Sequence, residues 1–102
     1  MLTEKQIENK IKHLLATKGA YYFKHFGCKF SRAGVPDIVG VLNGRFLGIE
    51  VKREDGKTTE LQEYHLEKIR KSGGIGIVVR PSNFEELKKI LEEVQNEKTR
   101  TT

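Results

Sequence analysis

Apolar residues recur at helical spacing through Ile7, Ile11, Leu14 and Leu15, preceded by a Thr3/Gln6 pair and followed by Gly19. That pattern predicts a first helix opened by a capping box and stopped at the glycine. Residues 20–26 (AYYFKHF) are aromatic-rich and predict a strand, and Gly27 to Val35 then read as a loop. From Asp37 to Leu42 and from Arg45 to Lys52 the chain is dominated by Val, Ile, Leu and Phe. Asn43-Gly44 between the two runs is the preferred pair for a type I′ turn, so an antiparallel hairpin is predicted. After a polar loop, Thr59 with Gln62 opens a second helix carrying Leu61, Leu66 and Ile69 as far as Ser72-Gly73-Gly74. Residues 75–80 (IGIVVR) predict a buried strand. Pro81-Ser82 starts a last helix, with Ser82 and Glu85 as a capping box and Phe84, Leu87, Ile90, Leu91 and Val94 as its apolar stripe. The expected order is α-β-β-β-α-β-α, a mixed sheet flanked by helices, because the passage through residues 45–80 permits a right-handed crossover between parallel strands.

With 102 residues the chain has material for one domain, expected over residues 1–95, with a polar and frayed tail over 96–102. A net charge of +5 favours an anionic partner. Residues 1–49 hold eight Lys/Arg against three Asp/Glu, whereas residues 50–102 hold eleven of each, so the first half is expected to supply the phosphate-facing surface. Cys28 is the only cysteine, which excludes an intramolecular disulfide or a cysteine-based zinc cluster, and His13, His25 and His65 are not at metal-binding spacing. No run approaches the ~20 apolar residues of a membrane span, and no apolar signal region opens the chain. A soluble, cytoplasmic protein is expected.

Hairpin arithmetic brings the chemistry together. A two-residue loop pairs Leu42 with Arg45, and stepping outward in register sets Asp37 opposite Glu50. Strand alternation then puts Lys52 on the same face. Two carboxylates facing each other between apolar strands need a compensating cation, and a divalent metal would supply it. Mg²⁺, with Mn²⁺ as the alternative, takes one or two carboxylates and keeps several waters. The main-chain carbonyl of Val51 is a further candidate ligand, and Lys52 is placed to orient or deprotonate a water. The competing reading is a surface salt bridge between Lys52 and either carboxylate, since a short E-x-K by itself is common.

The segments G-V-P-D-I-V at Gly34 to Val39 and E-V-K at Glu50 to Lys52 resemble the PD-(D/E)xK nucleases, and within them the VRR-NUC family. Gly56, Gln62 and Gly73-Gly74 continue that family's pattern, and the likeness covers roughly Glu8 to Arg80. The resemblance implies a restriction-endonuclease-like core, with Asp37 and Glu50 as metal ligands and Lys52 as the catalytic lysine. Gln62 either joins the site or closes the helix capping box, the two roles coexisting only if its side chain switches. The spacing of Glu8, Ile11, Leu15 and Gly19 is similar to that of archaeal Holliday-junction resolvases, which makes Glu8 a further candidate acid, against its reading as an ordinary exposed helix residue.

Lys29, Ser31 and Arg32, on the loop before Gly34, and Arg53 are candidate DNA contacts. The expected activity is hydrolysis of DNA phosphodiesters in branched substrates such as Holliday junctions. The alternatives are a flap or single-incision nuclease, a catalytically inactive nucleic-acid-binding module, and a protein-interaction domain. Paired incision calls for two active centres and hence a C2 homodimer, with the helix 3 stripe and the aromatics of Tyr21 to Phe26 as the two candidate contact regions. A stand-alone nuclease of this size would suit a phage or a mobile element.

Overall fold

A computed structural model describes residues 1–26 and 33–98. Its elements are α1 (Glu4–Thr17), β1 (Tyr21–Lys24), β2 (Ile38–Leu42), β3 (Arg45–Val51), α2 (Glu60–Lys71), β4 (Ile75–Val79) and α3 (Phe84–Gln95), in the expected order. The strands form one mixed sheet ordered β1-β2-β3-β4, antiparallel at its first two pairings and parallel between β3 and β4.

The hairpin has the register the two-residue loop dictates, from Leu42↔Arg45 to Ile38↔Ile49. Asn43 and Gly44 both lie at positive φ, 50° and 79°, which a type I′ turn requires. Alternation then assigns the faces. Ile38, Leu42, Leu47, Ile49 and Val51 point into a core completed by Ile7, Ile11 and Leu15 of α1 and Leu87, Leu91 and Val94 of α3. Each of these side chains contributes about 1.5–3 kcal/mol by leaving water.

The opposite face is covered in part. Helix α2 packs over β3 and β4, and it comes so close that a Cβ on Gly76 would lie 2.6 Å from the carbonyl oxygen of Leu66. Over β1 and β2 no described element covers the face, and Tyr21, Phe23 and Val41, with Phe46 of β3 beside them, are exposed there in adjacent register.

Several expectations need correction. Strand β1 is four residues long, Tyr21–Lys24, with one further backbone bond beyond it from the His25 N–H. Leu61 is exposed and does not belong to the buried stripe of α2, whose buried anchor is Leu66. Ser82 does not cap α3. A single 3-10 turn, Pro81–Asn83, comes first, the Ser82 N–H donates to Glu54 Oε1 (2.9 Å), and the Arg80 N–H donates to Asn83 Oδ1 (2.6 Å). Of the tail expected to fray, Glu97 is held, since Asn43 Nδ2 donates to its carbonyl and Arg45 pairs with its carboxylate, while residues 99–102 lie outside the described residues. The apolar stripe of α3 is spent on the core, which removes it as a contact surface.

Candidate active site

The end of the hairpin opposite the turn collects the polar groups. The ladder stops at Ile38↔Ile49, so Asp37 stands one residue outside β2, where continued register would set it against Glu50. Its backbone is held by the His25 N–H, which donates to the Asp37 carbonyl (2.7 Å). Its side chain turns back on the ladder, and Oδ2 accepts the Val51 N–H (2.8 Å). Asp37 therefore closes the open end of the sheet as well as presenting a carboxylate.

Glu50 is 2% exposed, on the face of β3 that α2 covers. Its Oε1 accepts from Gln62 Nε2 (3.1 Å), and its Oε2 is buried with no hydrogen-bond partner. Burial, then the close approach of the Asp37 carboxylate and its charge, push this carboxyl up from 4.5 to about 8. Lys52 pulls in the other direction, and the charge of Glu4 adds to the rise. Lys52 lies just past the end of β3, its N–H donating to the Val79 carbonyl (3.0 Å).

Gln62 performs both expected roles at once. Its Oε1 accepts the Thr59 N–H (2.9 Å) and closes the capping box of α2, while its Nε2 donates to Glu50. The expectation that the side chain must switch overlooked that an amide has an acceptor end and a donor end. Gln62 thus ties the start of α2 to Glu50.

Glu8 is buried, at 6% exposure, which rules out an ordinary surface role. Both of its oxygens are engaged by lysines. Oε1 meets Lys24 Nζ (2.9 Å), and Oε2 meets Lys12 Nζ (2.9 Å) and Lys5 Nζ (3.4 Å). Burial raises this carboxyl, but the hydrogen bonds and charges of Lys24 and Lys12 together outweigh it and bring the group from 4.5 down to about 2. Lys24 reaches on to Asp37 Oδ1 (3.9 Å). Burial lowers the pKa of its ammonium, and the hydrogen bond to Glu8 with the charges of Asp37, Glu8 and Glu50 raises it by more.

Lys24 is the site residue that sequence reasoning missed. The signal was present in strand alternation, because Tyr22 and Lys24 share a face of β1 and Tyr22 packs on the core. A lysine on an inward face needs a carboxylate, and Glu8 on the overlying helix provides one.

Of the remaining candidates, Arg53 is exposed and pairs with Asp55 (3.1 Å). Lys29, Ser31 and Arg32 lie outside the described residues, as does Cys28. Among the described residues no three His, Cys, Asp or Glu side chains form a metal-holding group. No helix among them is long and apolar enough to cross a membrane. The fold and site define a mixed α/β protein with a buried carboxyl, Glu50, and a half-buried one, Asp37, at the end of its central hairpin. Against models of known protein families and against curated proteins, the chain has no match.

Proposed function

We propose that this chain is a metal-dependent, structure-selective DNA endonuclease of the PD-(D/E)xK type, akin to the VRR-NUC nucleases, acting on branched DNA such as Holliday junctions. The observation that carries the reading is Glu50 Oε2. A buried carboxylate oxygen without a partner, beside a second carboxylate, is costly unless a cation satisfies both. Asp37 and Glu50 suit Mg²⁺ or Mn²⁺ better than an ion requiring a full protein cage, because such ions retain waters that leave room for a phosphate oxygen. The carbonyl of Val51, whose N–H already holds Asp37, is the remaining candidate donor.

A bound divalent ion would polarise the phosphodiester and lower the pKa of a water enough for attack near neutral pH. The chain's own groups prepare for that chemistry. Asp37 is oriented by the Val51 N–H and Glu50 by Gln62, so the free oxygens of the pair need little reorganisation. Lys52 orients the attacking water and offsets negative charge growing on the phosphate.

Paired incision of a junction needs two such centres, and the face of β1 and β2 that no described element covers supports a second copy seated there. Tyr21, Phe23, Val41 and Phe46 form an uncharged, exposed patch there, suited to a like surface and unsuited to a phosphate backbone. Sedimentation should give a dimer at micromolar concentration that Phe46→Glu dissociates. A strict monomer, with and without junction DNA, would move the reading to a flap or single-incision nuclease.

The decisive experiment incubates labelled four-way junction, flap, duplex and single-stranded DNA with Mg²⁺, Mn²⁺ or EDTA. Cleavage of branched DNA that needs metal and is lost in Asp37→Asn and Glu50→Gln is expected. Cleavage in EDTA, or at the wild-type rate in Asp37→Asn, would overturn the assignment.

A further inference from the structure

We infer that Glu8 is not a metal ligand but the organiser of a phosphate-binding cluster, in which Lys5, Lys12 and Lys24 take backbone phosphates of DNA next to the bond being cut. The inference rests on the nuclease reading for the identity of the ligand. The geometry of the cluster stands without it.

Three ammoniums surround one buried carboxylate, at 3.4 Å, 2.9 Å and 2.9 Å. Glu8 has no oxygen left over, since Lys24 holds Oε1 while Lys12 and Lys5 share Oε2. Glu8 offsets one of the three charges and Asp37, which Lys24 also reaches, offsets a second, so the uncompensated charge lies on the Lys5 and Lys12 side of the cluster. A surface lysine normally waves freely and loses rotamer entropy when it binds. Lys12 and Lys24 have already lost much of theirs, with side chains 30% and 22% exposed and anchored on Glu8.

The position of the cluster identifies its ligand class. Lys5, Glu8 and Lys12 lie one turn apart along α1, so their groups follow the helix axis, and Lys24 joins them to Asp37 Oδ1 at 3.9 Å. The row of ammoniums therefore begins beside the carboxylate pair at Lys24 and extends away from it along α1, where its uncompensated charge lies. A diester backbone, with one negative charge per nucleotide, fits that arrangement. Glu4, one turn before Glu8, acts on Glu50 and Arg53 and marks the edge of the positive zone.

The test reads DNA binding in EDTA, where cleavage cannot contribute, using a fluorescent four-way junction across a salt series. Lys5→Ala/Lys12→Ala leaves the Glu8–Lys24 pair to satisfy the buried carboxylate, and its folding is checked by circular dichroism. Each phosphate contact adds about 0.9 to the slope of log K against log salt, so losing two should flatten it by about 1.8. Equivalently, the affinity lost between about 50 and 200 mM salt should shrink roughly tenfold. Lys5→Arg/Lys12→Arg should restore the wild-type slope, and Lys68→Ala/Lys71→Ala at the far end of α2 should leave it unaltered. A double alanine variant that flattens the slope by less than one, or no more than the α2 control, overturns the inference. Mn²⁺ titration of Glu8→Gln is the second arm. A change in affinity of threefold or less supports the organiser role, and a larger loss makes Glu8 a metal ligand and overturns it. Failure of the nuclease reading would show elsewhere, as absent cleavage with metal, whichever way the salt slopes fall.

Discussion

Replacing Glu50 by glutamine should stabilise the metal-free protein, by an amount that depends on pH. The carboxyl titrates near 4.5 when exposed and at about 8 in the fold, so the folded state binds the proton more tightly. Below pH 4.5 both states are protonated and the residue carries no penalty. As pH rises from 4.5 to 8 the unfolded chain releases its proton while the folded chain keeps it, and stability falls by about 1.4 kcal/mol per unit. The cost at neutral pH is on the order of 3 kcal/mol, large against the ~5–15 kcal/mol that holds a small domain folded. Glutamine mimics the protonated acid, keeps an acceptor for Gln62, and adds an amide that can donate toward Asp37. Urea denaturation in EDTA at pH 4.5, 6 and 8 should therefore show matched stabilities at the first pH and a gap of a few kcal/mol at the last. Millimolar Mn²⁺ should narrow the gap by stabilising the wild type alone. Parallel stability curves for the two proteins from pH 4.5 to 8 would refute the reasoning.

Glu8 should behave in the opposite sense. Its carboxyl is held at about 2, so its stabilising contribution is complete above pH 4.5 and disappears as pH falls from 4.5 toward 2; Glu8→Gln should flatten the acid limb of a urea-stability profile by on the order of 2 kcal/mol. Asp37→Ala leaves the Val51 N–H without its acceptor and should cost about 1–2 kcal/mol, whereas Asp37→Asn retains an acceptor and should remain near wild-type stability while still losing cleavage. Gly76→Ala would drive a methyl against the Leu66 carbonyl and should destabilise by about 1–3 kcal/mol in thermal melts, because a helix backbone has to move.

The hairpin was the most legible part of the chain because its turn type, loop length and register are coupled, and one dipeptide, Asn43-Gly44, determines all three. From that register Asp37 and Glu50 followed, and so did the covering helices, whose apolar periodicity is strong. What sequence did not reveal lay in side-chain direction. Nothing local distinguishes Leu61, which is exposed, from Leu66, which is buried, until the angle of α2 on the sheet is known. Lys24 and Glu8 are sixteen positions apart and belong to different elements, and their pairing depends on how α1 lies across β1. The start of α3 was misread because Ser82 and Glu85 have the spacing of a capping box, yet Arg80 and Asn83 form a competing turn first. Local rules offered two starts, and Glu54, from a distant loop, took up the Ser82 N–H.

Gln62 narrows what can stand at its position more than either of its tasks does alone. The third residue of a capping box can be Glu or Gln with similar benefit to the helix. Facing Glu50, a glutamate would bring a further negative charge to an already crowded pair and would have no donor to offer its oxygen. Helix propensity would register such an exchange as silent, although it would recast a donor to Glu50 as a further carboxylate beside it. Amide and acid, interchangeable as helix punctuation, are here opposite in meaning, and a single nitrogen marks the difference between a helix start and a helix start tied to a buried carboxyl.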